Sequence, residues 1–527
     1  MVFDIGDGVR MGIKYNIFIA FGFWYWIFIF CSIILGMAYV GHLSLGKNKT
    51  ISPLKLRHNF VNLFCLFVVI FGGIFVKEID KQIYKTPQDK RTHLLTFGIS
   101  TFNQRDIVTT VSRVIGKTYL KAKANQELIT IDTKPAKPTD VTGSFAGKNV
   151  IMIMMETVEE YAIDAELTPT LYRLLNEGYS FTNTYGVAKT NNTYDAEFKS
   201  LTSMMYYNPD NFMHSYDDNE FTNALPHVLR ANGYTANSFH SYMRNYFNRD
   251  NMHNALGFEH YYADESMTFS PYDGFPLDSE LFDQMKHLIA PVQADPFFSF
   301  IITYSTHGPY LNNVKDRKRE LTEYYDIIDN SRYANYEESF KNLLAAQMNL
   351  DKGLKILEDY LISKDLIEDT LLVLYSDHKN YSCIEITEKY SNVTIEKDKY
   401  NYEIDKVPFS IYNPNIDSRK IDYVTSQYDI TPTILDLLGI EYVEEYYYGQ
   451  SVFLYNKGDY VKKPIIMGYN RWIDEKMIAY DKDIIYYDPS LENPQEYYLQ
   501  MQSQVSQTIQ KFHNFFLTDY FRKTAIN

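Results

Sequence analysis

The chain has 527 residues, with 51 Lys+Arg against 66 Asp+Glu and a formal net charge of −15. With 45% hydrophobic and 22% charged residues it is neither disordered nor of low complexity, and three cysteines exclude a disulfide scaffold. Residues 1–91 hold 11 basic and 5 acidic residues, which leaves −21 on the remainder; a basic head on an acidic body argues against a nucleic-acid partner.

The basic head reads as a membrane anchor over residues 1–76. Tyr15 to Val40 is 26 residues without a charge, long enough to span a bilayer. Phe60 to Val76 is a second, shorter stretch of 17 uncharged residues between Arg57 and Lys77. The first segment is too long for a signal-peptide core and has no small-residue cleavage site, so it is expected to be retained. The loop between them carries Lys47, Lys49, Lys55 and Arg57 and no acid, which predicts a cytoplasmic loop with everything after Val76 outside the cell. Cys31 and Cys65 fall in the spans, leaving Cys383 as the one thiol of the outer part.

Residues 77–147 read as a juxtamembrane linker. From Lys148 the pattern becomes alternating strands and helices. Val150–Met155 is a short apolar run, as expected of a strand buried on both faces. Thr168-Pro169 opens a helix that Gly178 closes, with Thr as N-cap. Asn223 to Gly233 and Thr431-Pro432 to Gly439 repeat that grammar. Residues 336–361 carry the longest helical pattern and lead to a strand at Leu371–Tyr375. Such alternation predicts an α/β fold with a mostly parallel central sheet over 148–455. Residues 456–527 read as a C-terminal subdomain of short Ile/Tyr-rich strands followed by helix.

In open parallel sheets, ligands bind beyond the carboxyl ends of the strands. The residues expected there are Glu156, His240, Ser305-Thr306-His307 and Ser376-Asp377-His378. Two carboxylates and three imidazoles in one crevice suit a divalent metal such as Mn²⁺ or Zn²⁺. Lys189-Thr-Asn-Asn-Thr-Tyr-Asp-Ala-Glu197 reads as a loop entering a helix. A Thr at that junction is either an ordinary N-cap or a hydroxyl nucleophile at an anion-attracting helix N-terminus.

These motifs carry a resemblance. Asn149–Glu156, Thr193-Tyr-Asp-Ala-Glu-Phe198, Phe239-His240, Phe247-Asn-Arg-Asp250, Thr306-His307-Gly-Pro309 and Tyr375-Ser-Asp-His378 occur in order, followed by Val407-Pro-Phe409, Asp429–Leu435 and Gly449-Gln-Ser451. From about Lys148 to Phe453 the chain resembles the alkaline-phosphatase/sulfatase superfamily, and most closely the lipoteichoic acid synthase family of membrane phosphoglycerol transferases. The resemblance implies one catalytic metal, Mn²⁺ with Mg²⁺ as the alternative, held by Glu156, Asp377, His378 and the nucleophile Thr193. Aligning on Asp195–Phe198 selects Thr193, with Thr190 as the alternative. It further implies that Arg249, His307, His240 and Phe247 contact the glycerophosphate group.

The activity so implied moves glycerophosphate from phosphatidylglycerol to a glycolipid or teichoic acid acceptor through a phospho-threonine intermediate. The implied setting is a multi-pass cell-membrane protein with an extracellular catalytic domain. Sulfate ester hydrolysis is disfavoured because no Cys/Ser-x-Pro-x-Arg motif occurs. Phosphoethanolamine transfer is the alternative chemistry, and a catalytically idle tethered binding protein the alternative class. The sequence departs from the family at Phe247, where Trp is common, and at Lys379-Asn380, where Gly is frequent in the superfamily.

Overall fold

The computed structural model describes residues 131–524, apart from 188–192, 207–211, 270–276, 311–320, 382–383, 392–401, 458–462, 469 and 481–482. The spans expected at Tyr15–Val40 and Phe60–Val76, and also Thr190 and Cys383, lie outside the described residues. Among the described residues no helix is long and apolar enough to cross a membrane.

Fourteen strands are described, in chain order β1 (Asn149–Met155), β2 (Tyr179–Phe181), β3 (Thr184–Tyr185), β4 (Thr235–His240), β5 (His260–Tyr262), β6 (Phe297–Ile302) and β7 (Thr370–Ser376), then β8 (Phe409–Tyr412), β9 (Arg419–Ile421), β10 (Thr425–Ser426), β11 (Ile465–Gly468), β12 (Arg471–Ile473), β13 (Met477–Tyr480) and β14 (Asp483–Tyr487). Eight form the central sheet in the order β5-β4-β6-β1-β7-β8-β2-β9. Strand β1 lies in its middle, parallel to β6 on one side and β7 on the other. Only β8 runs against its neighbours, pairing antiparallel with both β7 and β2, so the sheet is mixed. Hydrophobic pattern encodes which residues are buried, not which way a strand points, and β8 carried no signal of its reversal.

All seven residues of β1 are buried, and their alternation feeds two cores. Val150, Met152 and Met154 join one face with Val373, Tyr375 and Phe300. Ile151, Ile153 and Met155 join the other with Leu372, Leu374 and Ile301. Each such side chain contributes about 1.5–3 kcal/mol by leaving water.

The second face is covered by helices α1 (Pro169–Asn176), α3 (Asp278–Ile289) and α4 (Glu338–Ser363); the first by α2 (Thr193–Thr202) and α5 (Ile430–Leu438). Helices α3 and α4 approach closely at Gly353, where a Cβ would lie 2.5 Å from Phe282 Cδ2. Thr168 occupies the N-cap position of α1, but its hydroxyl bonds Asp164 instead. The cap is supplied by tertiary contact: Asp351 of α4 accepts from Leu171 N at 2.7 Å.

The C-terminal part is an antiparallel sheet, β11-β12-β13-β14, followed by a helix over Pro494–Thr518. Its Trp472, Val505 and Phe512 join the first core.

Candidate active site

Because β1, β4, β6 and β7 are parallel, their carboxyl ends open on one side. Glu156 follows β1, His240 ends β4, His307 follows β6, and Asp377-His378 follow β7. Hydroxyl side chains brace these ends to one another. Thr303 Oγ1 accepts from Glu156 N at 2.9 Å, and Ser376 Oγ accepts from Val158 N at 2.9 Å. Thr306 Oγ1 donates to Glu156 O. Thr157, directly after Glu156, sits at φ +47°, an unusual place for a β-branched residue. Two bonds hold it there: its hydroxyl donates to Glu156 Oε1 (2.8 Å) and its N–H to Asp377 Oδ1 (2.8 Å).

One donor atom each from Glu156, Asp377 and His378 lie within 4.8 Å of one another, and all three residues are buried. His378 Nδ1 faces the Lys379 carbonyl at 3.0 Å, so Nδ1 carries the proton and Nε2 presents its lone pair. That Nε2 lies 3.2 Å from Asp377 Oδ2 and 3.8 Å from Glu156 Oε1. Asp377 Oδ2 is buried with no hydrogen-bond partner. Three lone-pair groups facing one another out of water repel unless a proton or a cation lies among them. Burial and then the Glu156 charge push the Asp377 carboxyl well above its ordinary value. Burial also works against the charged form of Glu156, but His307, His378 and the Thr157 and Thr193 hydroxyls outweigh it and hold the carboxyl low. A ring nitrogen bonded to a backbone carbonyl, with the other nitrogen free, is the usual arrangement of a metal-binding histidine. The residues present fit a divalent cation.

Thr193 is the first residue of α2, and its Oγ1 donates to Glu156 Oε2 at 2.9 Å. The structure thus brings all four expected ligand residues together. His307 is half-buried, with Nδ1 against Gly308 O at 2.5 Å and its ring 5.3 Å from Tyr304. His240 is buried, with Nδ1 bonded to Ile302 O at 2.9 Å; burial and the charge of Arg249 bring it down to about 3, so its ring is neutral. Phe247 is half-buried, 4.9 Å from Tyr194 and 5.8 Å below the Arg249 guanidinium. Arg249 is 1% exposed, and its Nε donates to Glu197 Oε2 at 3.0 Å.

Sequence reasoning assigned no role to several residues that hold this geometry. Gln427 Nε2 donates to the carbonyls of Ser376 (2.8 Å) and Asp377 (2.7 Å), while its Oε1 accepts from Val187 N. Asp278 accepts from Tyr304 N (2.7 Å) and Ser305 N (3.0 Å), fixing the turn that carries His307. Glu197 joins Arg249 to His253. Lys379, one of the departures from the family, is paired with Asp405 at 2.8 Å, and Asp405 also binds Arg471 of β12. A buried polar residue inside an apolar run was the one available signal, and it names no partner.

A family model described as Sulfatase matches residues 148–440, more than half of the chain. Lipoteichoic acid synthase 2 of Bacillus subtilis (strain 168) is 23% identical over 422 residues, covering 76% of this chain and 62% of that protein. The lipoteichoic acid synthase of Staphylococcus saprophyticus is 24% identical over 401 residues, covering 71% and 58%. The chain therefore spans about three fifths of the length of these curated relatives. Among solved structures, the lipoteichoic acid synthase LtaP from Listeria monocytogenes superposes with a TM-score of 0.58 at 20% identity, over 75% of this chain and 98% of that one. A protein in the alkaline phosphatase superfamily from Vibrio parahaemolyticus gives 0.56 at 16% identity, over 76% and 97%. At these identities the likeness establishes the fold.

Proposed function

The chain belongs to the sulfatase family, and from that premise we propose that it is a metal-dependent phosphoglycerol transferase. It moves glycerophosphate from phosphatidylglycerol to a glycolipid or polyglycerolphosphate acceptor, at the outer face of a cell membrane. The observation that carries this reading is the Thr193 hydroxyl at a helix N-terminus, bonded to Glu156 beside the Asp377–His378 pair. The similarity to lipoteichoic acid synthases supports the substrate class.

Glu156, Asp377, His378 and Thr193 would hold the cation, with Mn²⁺ suiting carboxylate and imidazole donors; when bound it supplies positive charge that lowers the hydroxyl's pKa and offsets the phosphodiester's charge. Glu156 Oε2 orients the Thr193 hydroxyl and stands as acceptor for its proton. Thr193 Oγ forms a bond to phosphorus as the bond from phosphorus to the diacylglycerol oxygen breaks. His307, with Nδ1 committed to Gly308 O, uses Nε2 to protonate that leaving oxygen; in the second half-reaction it takes the proton of the acceptor hydroxyl as that oxygen bonds to phosphorus, the bond from phosphorus to Thr193 Oγ breaks, and Glu156 returns the proton to Thr193. Neutral His240 offers Nε2 as an acceptor to a glycerol hydroxyl.

The test is incubation of the full-length chain in detergent micelles with labelled phosphatidylglycerol and Mn²⁺. Release of diacylglycerol is expected; its absence, with the protein folded and metal-loaded, overturns the reading. Reporter fusions address the orientation: one after Val76 should be active outside the cytoplasm, and one near Lys49 should not.

A further inference from the structure

The helix that begins with Thr193 carries Glu197 one turn further on, so both side chains leave the same face. Glu197 is fully buried and both its oxygens are engaged. Oε2 accepts from Arg249 Nε at 3.0 Å, and Oε1 accepts from His253 Nε2 at 2.5 Å. His253 Nδ1 in turn accepts from the Ser238 hydroxyl of β4 at 2.7 Å. The chain of bonds thus runs from the central sheet to the helix that carries the nucleophile.

Arg249 itself follows two consecutive residues with left-handed backbone, Phe247 at φ +59° and Asn248 at φ +60°. Its Nη1 is buried and makes no hydrogen bond of normal geometry, and the group that interacts with the guanidinium besides Glu197 is the Tyr261 hydroxyl, buried and likewise without such a bond. A buried ion pair alone adds little over well-packed apolar residues, and an unpartnered guanidinium N–H is costly. Both costs make sense if one edge of the guanidinium is fastened and another is kept for an anion. Arg forks bind phosphate oxygens through such an edge.

We propose that Glu197 is a positioning residue: it fastens Arg249 through Nε so that the Nη1 edge meets the phosphate of the lipid substrate, and it sets that clamp and Thr193 on one rigid helix. This rests on the transferase reading. Glu197 touches no substrate atom; it acts through Arg249. Because the clamp binds phosphate before and during attack, loosening it raises KM more than it lowers kcat.

The experiment compares wild type, Glu197→Gln, Arg249→Lys and the double variant in the full-length chain in detergent micelles. Three quantities are read: kcat and KM for phosphatidylglycerol, affinity for sn-glycerol 1-phosphate by calorimetry, and Mn²⁺ affinity. Glu197→Gln should weaken glycerophosphate binding and raise KM by about tenfold, the scale of one charge-assisted hydrogen bond. Turnover and Mn²⁺ affinity should change less than about threefold. In the Arg249→Lys background the same substitution should add less than about twofold, since its route of action is gone.

Glycerophosphate affinity unchanged in Glu197→Gln, or penalties that multiply in the double variant, overturns the proposal. Should Glu197→Gln not fold, Glu197→Asp, which draws the charge back by one methylene, is put through the same cycle. A wild type that binds glycerophosphate but releases no diacylglycerol sinks the transferase reading alone, because the affinity cycle still decides the role of Glu197.

Discussion

Thr193 Oγ1 donates to Glu156 Oε2 across 2.9 Å, joining the start of a helix to the end of the central strand 37 residues earlier. The bond turns the hydroxyl toward Glu156, where it also interacts with Asp377, rather than back at its own helix. Thr193→Ala should therefore abolish diacylglycerol release while costing only about 1.5–3 kcal/mol of stability, the scale of one hydrogen bond to a charged group. Mass spectrometry should find a glycerophosphate adduct on the Thr193 peptide of wild type and none in the variant. A folded variant that still turns over at near the wild-type rate would rule out Thr193 as nucleophile.

Metal binding should appear as stability. A cation that binds the folded chain at about 100 times its Kd adds about 2.7 kcal/mol. Thermal melts after chelation and after Mn²⁺ addition should differ accordingly. Asp377→Asn removes the unpartnered Oδ2 charge and should erase most of that difference. An equal Mn²⁺ shift in Asp377→Asn would place the ion elsewhere.

Acid should find Glu197. Burial raises its carboxyl, but Arg249 and His253 outweigh burial and hold it at about 2, against an ordinary 4.5. A depressed carboxylate contributes stability that is fully present above pH 4.5 and is lost as pH falls toward 2, by about 1.4 kcal/mol per unit within that window. Denaturant midpoints measured from pH 5 to 3 should fall more steeply for wild type than for Glu197→Gln. Parallel curves would mean that the carboxyl is not depressed.

Gly449→Ala should be among the costlier single-methyl additions in the chain. A Cβ there would lie 2.0 Å from Tyr428 O and 2.8 Å from Asp429 N, and backbone cannot swing aside. Overpacking of this kind costs about 1–3 kcal/mol. A drop in melting temperature checks it; an unchanged melt would show that the Tyr428–Gly449 approach is looser than described.

What the sequence by itself determined is what short-range pattern can carry. The apolar run at Val150–Met155 marked the central strand, and the polar residues just beyond each run, Glu156, His240, His307 and Asp377-His378, followed from the rule that parallel strands end on one side. Thr193 came from its place before an apolar helix, where cap and nucleophile look alike. Only the tertiary structure decided the rest. The reversal of β8 leaves no trace in hydrophobic period, because a strand buries the same residues in either direction. Glu197 meets Arg249 across 52 residues, and Gln427 meets Asp377 across 50, so the partner of each buried polar group is set by how the layers pack. Arg249 shows the difference most plainly. Its motif marked it for phosphate, while its burial against Glu197 exists only once the helix of Thr193 and the loop of Phe247 are folded together.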